Sequence, residues 1–211
     1  SKIDVLEEKP FISNIRDNFF LSNNSKINSL EKLSQSTILK LQKEYYSYFN
    51  LSPNKIIIDK FPLNIIEIGF IKRIFPKSKF ILTLRHPCDV VLSCFSTNFK
   101  INEAMANFYD LENTAFLYNQ VFSLFDQYSK YFDIDLHYIK YEDVVNNFES
   151  TLKDLLFFLN LNWEEKIRDF NKTASDRYKI NTPSYSQVIE PLYKNSINRW
   201  KNYEQFDLIY P

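Results

Sequence analysis

Three short strand-like runs, each followed by a helical pattern, constrain this chain more than any other feature. They are "KIIID" at 55–59, "KFILTL" at 79–84 and "DLHYIK" at 135–140. The first two are nearly all apolar, as expected of strands buried on both faces. Pro62 opens a helix that carries Ile65, Ile66, Ile68, Phe70 and Ile71 and stops near Phe75-Pro76. Pro87 sits where the first turn of the next helix is expected. A long helical stretch follows over about 103–131, and further helices over 141–160 and 163–170. Strand, helix, strand, helix, strand implies an α/β fold, a three-layer arrangement with a parallel sheet flanked by helices. In such sheets ligands gather beyond the carboxyl ends of the strands. Lys60 and Arg85 stand at two such ends, and two cations there point to an anionic ligand.

The flanks read less clearly. The first 25 residues look irregular, with a turn at "SNNS", 22–25, and the tail from 175 onward is rich in turn residues. A helical period starting at Asn28 is marked by Leu30, Leu33, Leu41, Tyr45 and Tyr48, with Asn28 and Glu31 spaced as a capping pair. Asp89 falls in the first turn of the helix after Pro87, where an acid faces the positive end of the helix dipole. His86 reads as a turn residue and His137 as a structural strand residue. The aromatic stripe Phe108, Phe116, Tyr118, Phe122 and Phe125 reads as core.

Composition removes several function classes. The chain has 211 residues, with 26 Lys plus Arg against 26 Asp plus Glu. That balance lacks the basic footprint of a nucleic-acid binder. Only Gly69 is glycine, against an average usage of about 7%. A phosphate loop made of several glycines therefore has no place within these residues. The two cysteines, Cys88 and Cys94, fall on different faces of one expected helix and offer neither a disulfide nor a metal site. No apolar run has membrane-spanning length, and the start lacks a signal-peptide pattern, so a cytoplasmic location is expected.

The segment "IIDKFPLNIIEIGFIKRIFPKSKFILTLRHPCDVVLSCF" resembles the central block of P-loop-fold sulfotransferases. It is most similar to the bacterial branch often fused to tetratricopeptide repeats, which is related to tyrosylprotein sulfotransferases. The shared pattern is a strand, D-K-x-P, a helix, a second strand and R-x-P-x-D-x-x-x-S. "YEDVVNNFESTLKDLLFFLNLNW" at 141–163 resembles the segment after the family's fourth strand, and "TPSYSQVIEPLYKNSINRW" at 182–200 its closing segment. "VLEEKPFIS" resembles the family's G-E-L-P-F-I stretch, with Glu7 where glycine is usual. The resemblance covers about Ile3 to Tyr203. It implies one sulfotransferase-like domain over 1–211 that is incomplete at its N-terminus, with the family's first strand and 5′-phosphosulfate loop expected before residue 1.

The resemblance also implies a reaction. A sulfuryl group would pass from 3′-phosphoadenosine 5′-phosphosulfate (PAPS) to a hydroxyl or amine acceptor on a carbohydrate, a peptide tyrosine or a small molecule, with no metal. Arg85 and Ser93 would hold the 3′-phosphate and Arg199 would help from the C-terminal loop. Glu8 would take the acceptor's proton, Lys60 would stabilise charge on the bridging and transferred oxygens, and Ser184 would lie near the transferring group. An arginine fork suits a phosphate because it bonds two oxygens at once. A different expectation stands beside this one: a non-catalytic remnant or interaction module that keeps the fold without the phosphosulfate loop. More distant is a nucleoside or nucleotide kinase of the same P-loop class.

Overall fold

A computed structural model describes residues 3–23, 27–49, 55–99, 102, 104–170, 192 and 194–203. The three expected strands are present as β2 (Ile56–Lys60), β3 (Lys79–Leu84) and β4 (Asp135–Lys140). Ahead of them lies a strand the sequence did not announce, β1 (Ile3–Glu7). β1 runs parallel to β2 in the register Ile3↔Ile56 through Glu7↔Lys60. A Lys55 Nζ to Asp4 Oδ1 ion pair of 2.7 Å ties the start of that ladder. Parallel strands need a long crossover, and α1 (Phe11–Asn23) and α2 (Gln35–Ser47) lie between them in the chain. The opening residues expected to be irregular are therefore a strand and a 13-residue helix. β1 is half-buried, carries acids at both ends of its apolar stretch and has its partner fifty residues downstream, so no local pattern exposes it.

Among the described residues the strands pair as β1–β2 and β3–β4, not as one run of three. The fold class is α/β. The chain divides into two compact units. One holds Ser1–Ser78 with Leu124–Asp135, and the other Lys79–Ser123 with Leu136–Pro211.

In the first unit, the helix expected from Asn28 splits. A 3₁₀ turn covers Ile27–Lys32, and α2 starts only at Gln35, capped by Ser34, whose hydroxyl accepts from the Thr37 amide at 3.2 Å. Pro62 opens a 3₁₀ turn, Pro62–Glu67, that runs into α3 (Ile68–Ile74). Ile12, Ile15 and Phe19 of α1, Leu41 and Tyr45 of α2, and Phe70 and Ile74 of α3 form the buried core here. Arg73 fastens the turn before α2 by donating to the carbonyls of Leu30 and Leu33.

In the second unit, α4 (Pro87–Ser96) opens on Pro87 as expected. Its Cys88, Val91 and Leu92 are buried against Leu111, Ala115 and Tyr118 of α5 (Leu111–Tyr131) and against Trp200. The aromatic stripe is only partly core: Phe116 here is 60% exposed, whereas Phe125, which belongs to the first unit, is buried. α6 (Tyr141–Asn146) and α7 (Phe148–Phe158) follow β4. Short 3₁₀ turns cover Glu165–Asp169, Lys194–Ser196 and Arg199–Asn202. Among the described residues no helix is long and apolar enough to cross a membrane.

Candidate functional site

Two clusters of the expected residues form, one in each unit. In the first unit the register Glu7↔Lys60 sets the ends of β1 and β2 side by side. The Glu8 amide donates to the Lys60 carbonyl at 2.8 Å. Lys60 Nζ lies 2.5 Å from Glu8 Oε1. The candidate base and the candidate cation thus meet directly, although they are 52 residues apart. Glu8 adopts a positive φ of 54°. That left-handed region costs a residue with a side chain on the order of 1–2 kcal/mol. The related stretch has glycine at the position of Glu7, so here the turn that would favour glycine falls one residue later, on the acid itself.

Behind Lys60 lies a group that sequence reasoning missed. Asp59 accepts from the Tyr45 hydroxyl at 2.9 Å and from the Asn64 amide at 3.3 Å. Successive strand residues face opposite ways, so this anchoring fixes the strand end that presents Lys60. Burial pushes the Asp59 carboxyl above its ordinary value, while Tyr45 and Asn64 pull it back. Burial first, and then the Asp59 charge, pushes the Tyr45 hydroxyl up as well, so it remains a donor. The D of D-K-x-P was the available signal.

In the second unit Arg85, Asp89, Leu92, Ser93, Ser196 and Arg199 line one small pocket, partly open to solvent. Arg85 follows β3, and Ser93 lies two turns along α4, on the same side. This is why the two are eight residues apart: one strand end and one helix face supply both. The Arg85 guanidinium donates through Nη2 to the Ser196 carbonyl, 111 residues away, and lies over the Tyr141 ring at 5.5 Å. Its buried Nε has no hydrogen-bond partner among the described residues. Arg199 reaches the pocket from the 3₁₀ turn it opens. Two guanidinium groups and a hydroxyl around one cleft suit an anion with several oxygens. Ser184 lies outside the described residues.

Asp89 is more than an acid facing a helix dipole. It is 1% exposed and accepts from the backbone amides of Asn198 at 2.8 Å and Trp200 at 3.0 Å. His86 sits just before α4, its amide donates to Glu142 at 2.9 Å, and its ring stacks on Trp200 at 5.0 Å.

Comparison with known proteins follows the same lines. The model of the sulfotransferase family matches residues 13–165. An uncharacterised protein of Aquifex aeolicus (strain VF5) is 28% identical over 151 residues, which are 71% of this chain and 19% of that protein. The chain thus spans about a fifth of the length of this curated relative. Among solved structures, the sulfotransferase domain from the curacin biosynthetic pathway matches with a TM-score of 0.50 at 19% identity, covering 98% of this chain and 76% of that one. At that identity the likeness concerns the fold.

Proposed function

This chain belongs to the sulfotransferase family, and on that premise we propose that it acts with PAPS to place a sulfuryl group on a hydroxyl or amine acceptor. The observation that carries this reading is the pocket in which Arg85, Ser93 and Arg199 converge. Its donors suit a phosphate. Arg85 and Arg199 supply charge-assisted donors and Ser93 a neutral one, so the 3′-phosphate is the group they hold. The unpartnered Arg85 Nε marks donor capacity that the described protein groups leave unfilled.

PAPS supplies an activated sulfuryl group and a stable leaving group, so catalysis rests on positioning and electrostatics. Glu8 accepts the proton of the acceptor hydroxyl or amine as the new bond to sulfur forms and the bond from sulfur to the 5′-phosphate oxygen breaks, releasing adenosine 3′,5′-bisphosphate. Lys60, held 2.5 Å from Glu8, stabilises the negative charge that develops on the oxygens of the transferred and leaving groups. The ion pair orients both groups before the acceptor arrives. Ser184, by the family resemblance, adds a hydroxyl near the transferring group.

Thermal denaturation with adenosine 3′,5′-bisphosphate tests the reading. The bisphosphate should raise the melting temperature of the chain, and Arg85→Ala should abolish that rise. Equal stabilisation of parent and variant would remove Arg85 from the site. A chain that binds the bisphosphate but transfers sulfate to none of a phenol, a tyrosine peptide or a sugar would favour the non-catalytic module. Preference for ATP over the 3′-phosphorylated nucleotide would favour a kinase.

A further inference from the structure

The anion pocket contains a carboxylate, which is an odd lining for a phosphate site. Asp89 is nearly fully buried, and its Oδ1 lies 4.0 Å from the Arg85 guanidinium. A buried carboxylate is costly unless hydrogen-bonded and paired. Here two backbone amides and one guanidinium meet it. The two amides, of Asn198 and Trp200, flank the one residue between them, Arg199. They converge on a single carboxylate because Asn198 is left-handed, with φ 59° and ψ 21°. Asparagine tolerates that region better than most residues. The turn therefore points two N–H groups inward to Asp89 while Arg199 lines the pocket.

Further contacts fix the same turn. Trp200 stacks on His86 with planes 15° apart and packs on the buried face of α4. Arg85 holds the Ser196 carbonyl. The stretch from Arg85 to Asp89 thus grips the segment from Ser196 to Trp200 at both ends.

We propose that Asp89 is a positioning residue for the anion pocket: it holds the Asn198–Trp200 turn so that Arg199 completes the set with Arg85 and Ser93, and so gives the chain its preference for a 3′-phosphorylated nucleotide. This rests on the functional reading above. Asp89 touches no ligand itself and acts through Arg199. In Asp89→Asn one side-chain oxygen still accepts an amide. The new NH₂ group faces the other amide, donor against donor, and the turn loses its grip.

The test is calorimetric titration of parent, Asp89→Asn, Arg199→Ala and the double variant with adenosine 3′,5′-bisphosphate and adenosine 5′-monophosphate. The readout is the ratio of the two dissociation constants. Asp89→Asn should cut the preference for the bisphosphate about tenfold, in line with loss of one well-placed charged contact. Arg199→Ala should cut it similarly, and the double variant no further, because both changes remove the same contact. A merely structural role would weaken both nucleotides equally and leave the ratio alone, which would overturn the proposal, as would multiplicative losses in the double variant. If Asp89→Asn does not fold, Asp89→Glu keeps the charge but displaces the turn. Its ratio should fall too, and an unchanged ratio would again overturn the proposal. A parent without preference for the bisphosphate removes the functional reading and this inference together. A preference that survives every change at Asp89 removes this inference alone.

Discussion

Asp59 and Lys60 are chain neighbours on β2, yet each answers to a different partner. Lys60 faces Glu8, and Asp59 accepts from Tyr45 and Asn64. Burial raises the Asp59 carboxyl above its ordinary 3.8, more than its two donors lower it. The native chain then binds that proton more tightly than the unfolded chain does. A group of this kind adds stability at low pH and loses it as pH climbs from the unfolded value through the raised one. Asp59→Asn should therefore gain stability relative to the parent as pH rises from about 3.8, read from urea unfolding at successive pH values. A variant that loses ground over that window would show that the carboxylate, not the acid, is the favoured form. At this scale the sequence was legible where a motif fixed both residue and place, as for Lys60, Arg85 and Ser93. It assigned Asp59 no role beyond a motif letter and Asp89 only a place facing a helix dipole, because an acid at a strand end or in a first helical turn already has an ordinary local explanation. What gives each its role is a partner 14 or more residues away.

α3 shows what the single glycine does. A Cβ built on Gly69 would lie 2.9 Å from Tyr128 Cε1. Tyr128 cannot easily yield, because its hydroxyl donates to the Ile66 carbonyl at 3.0 Å and its ring packs on Phe132. Alanine would gain roughly 1 kcal/mol of helix propensity, against overpacking of about 1–3 kcal/mol. Gly69→Ala should thus lower unfolding stability by about 1 kcal/mol; a more stable variant would mean the ring swings clear. Elements whose signals are local were readable: β3 and β4 fall where their apolar runs stand, and α4 starts on its proline. β1 was not readable, since five residues with acids at Asp4 and Glu7 become a strand only by pairing with β2. The early start expected for α2 failed because Leu30 and Leu33 belong to a 3₁₀ turn and its exit, where the apolar spacing mimics an α-helix.

For the molecule as a whole, binding should appear as added stability. Adenosine 3′,5′-bisphosphate at a hundred times its dissociation constant should contribute about 2.7 kcal/mol. For a chain of this size that is a rise in melting temperature of roughly 5–10 °C. Added salt should shrink the rise by screening Arg85 and Arg199. A rise that ignores salt would argue against a pocket built on two guanidinium groups. The family was legible from motif order, whereas the division into two compact units and the closing of the pocket by its last turn were not, since both depend on contacts between distant segments.

That spacing has a consequence in time. Arg85 and Ser196 are 111 residues apart. Closing so long a loop costs little more free energy than closing a loop half its length, about 0.6 kcal/mol. On a ribosome adding about 5–20 residues each second, however, the arginine waits on the order of 5–20 s for the segment that will hold it. Through that interval the nascent chain carries a half-built cradle with Asp89 uncovered, until the segment from Ser196 to Trp200 emerges and seals it.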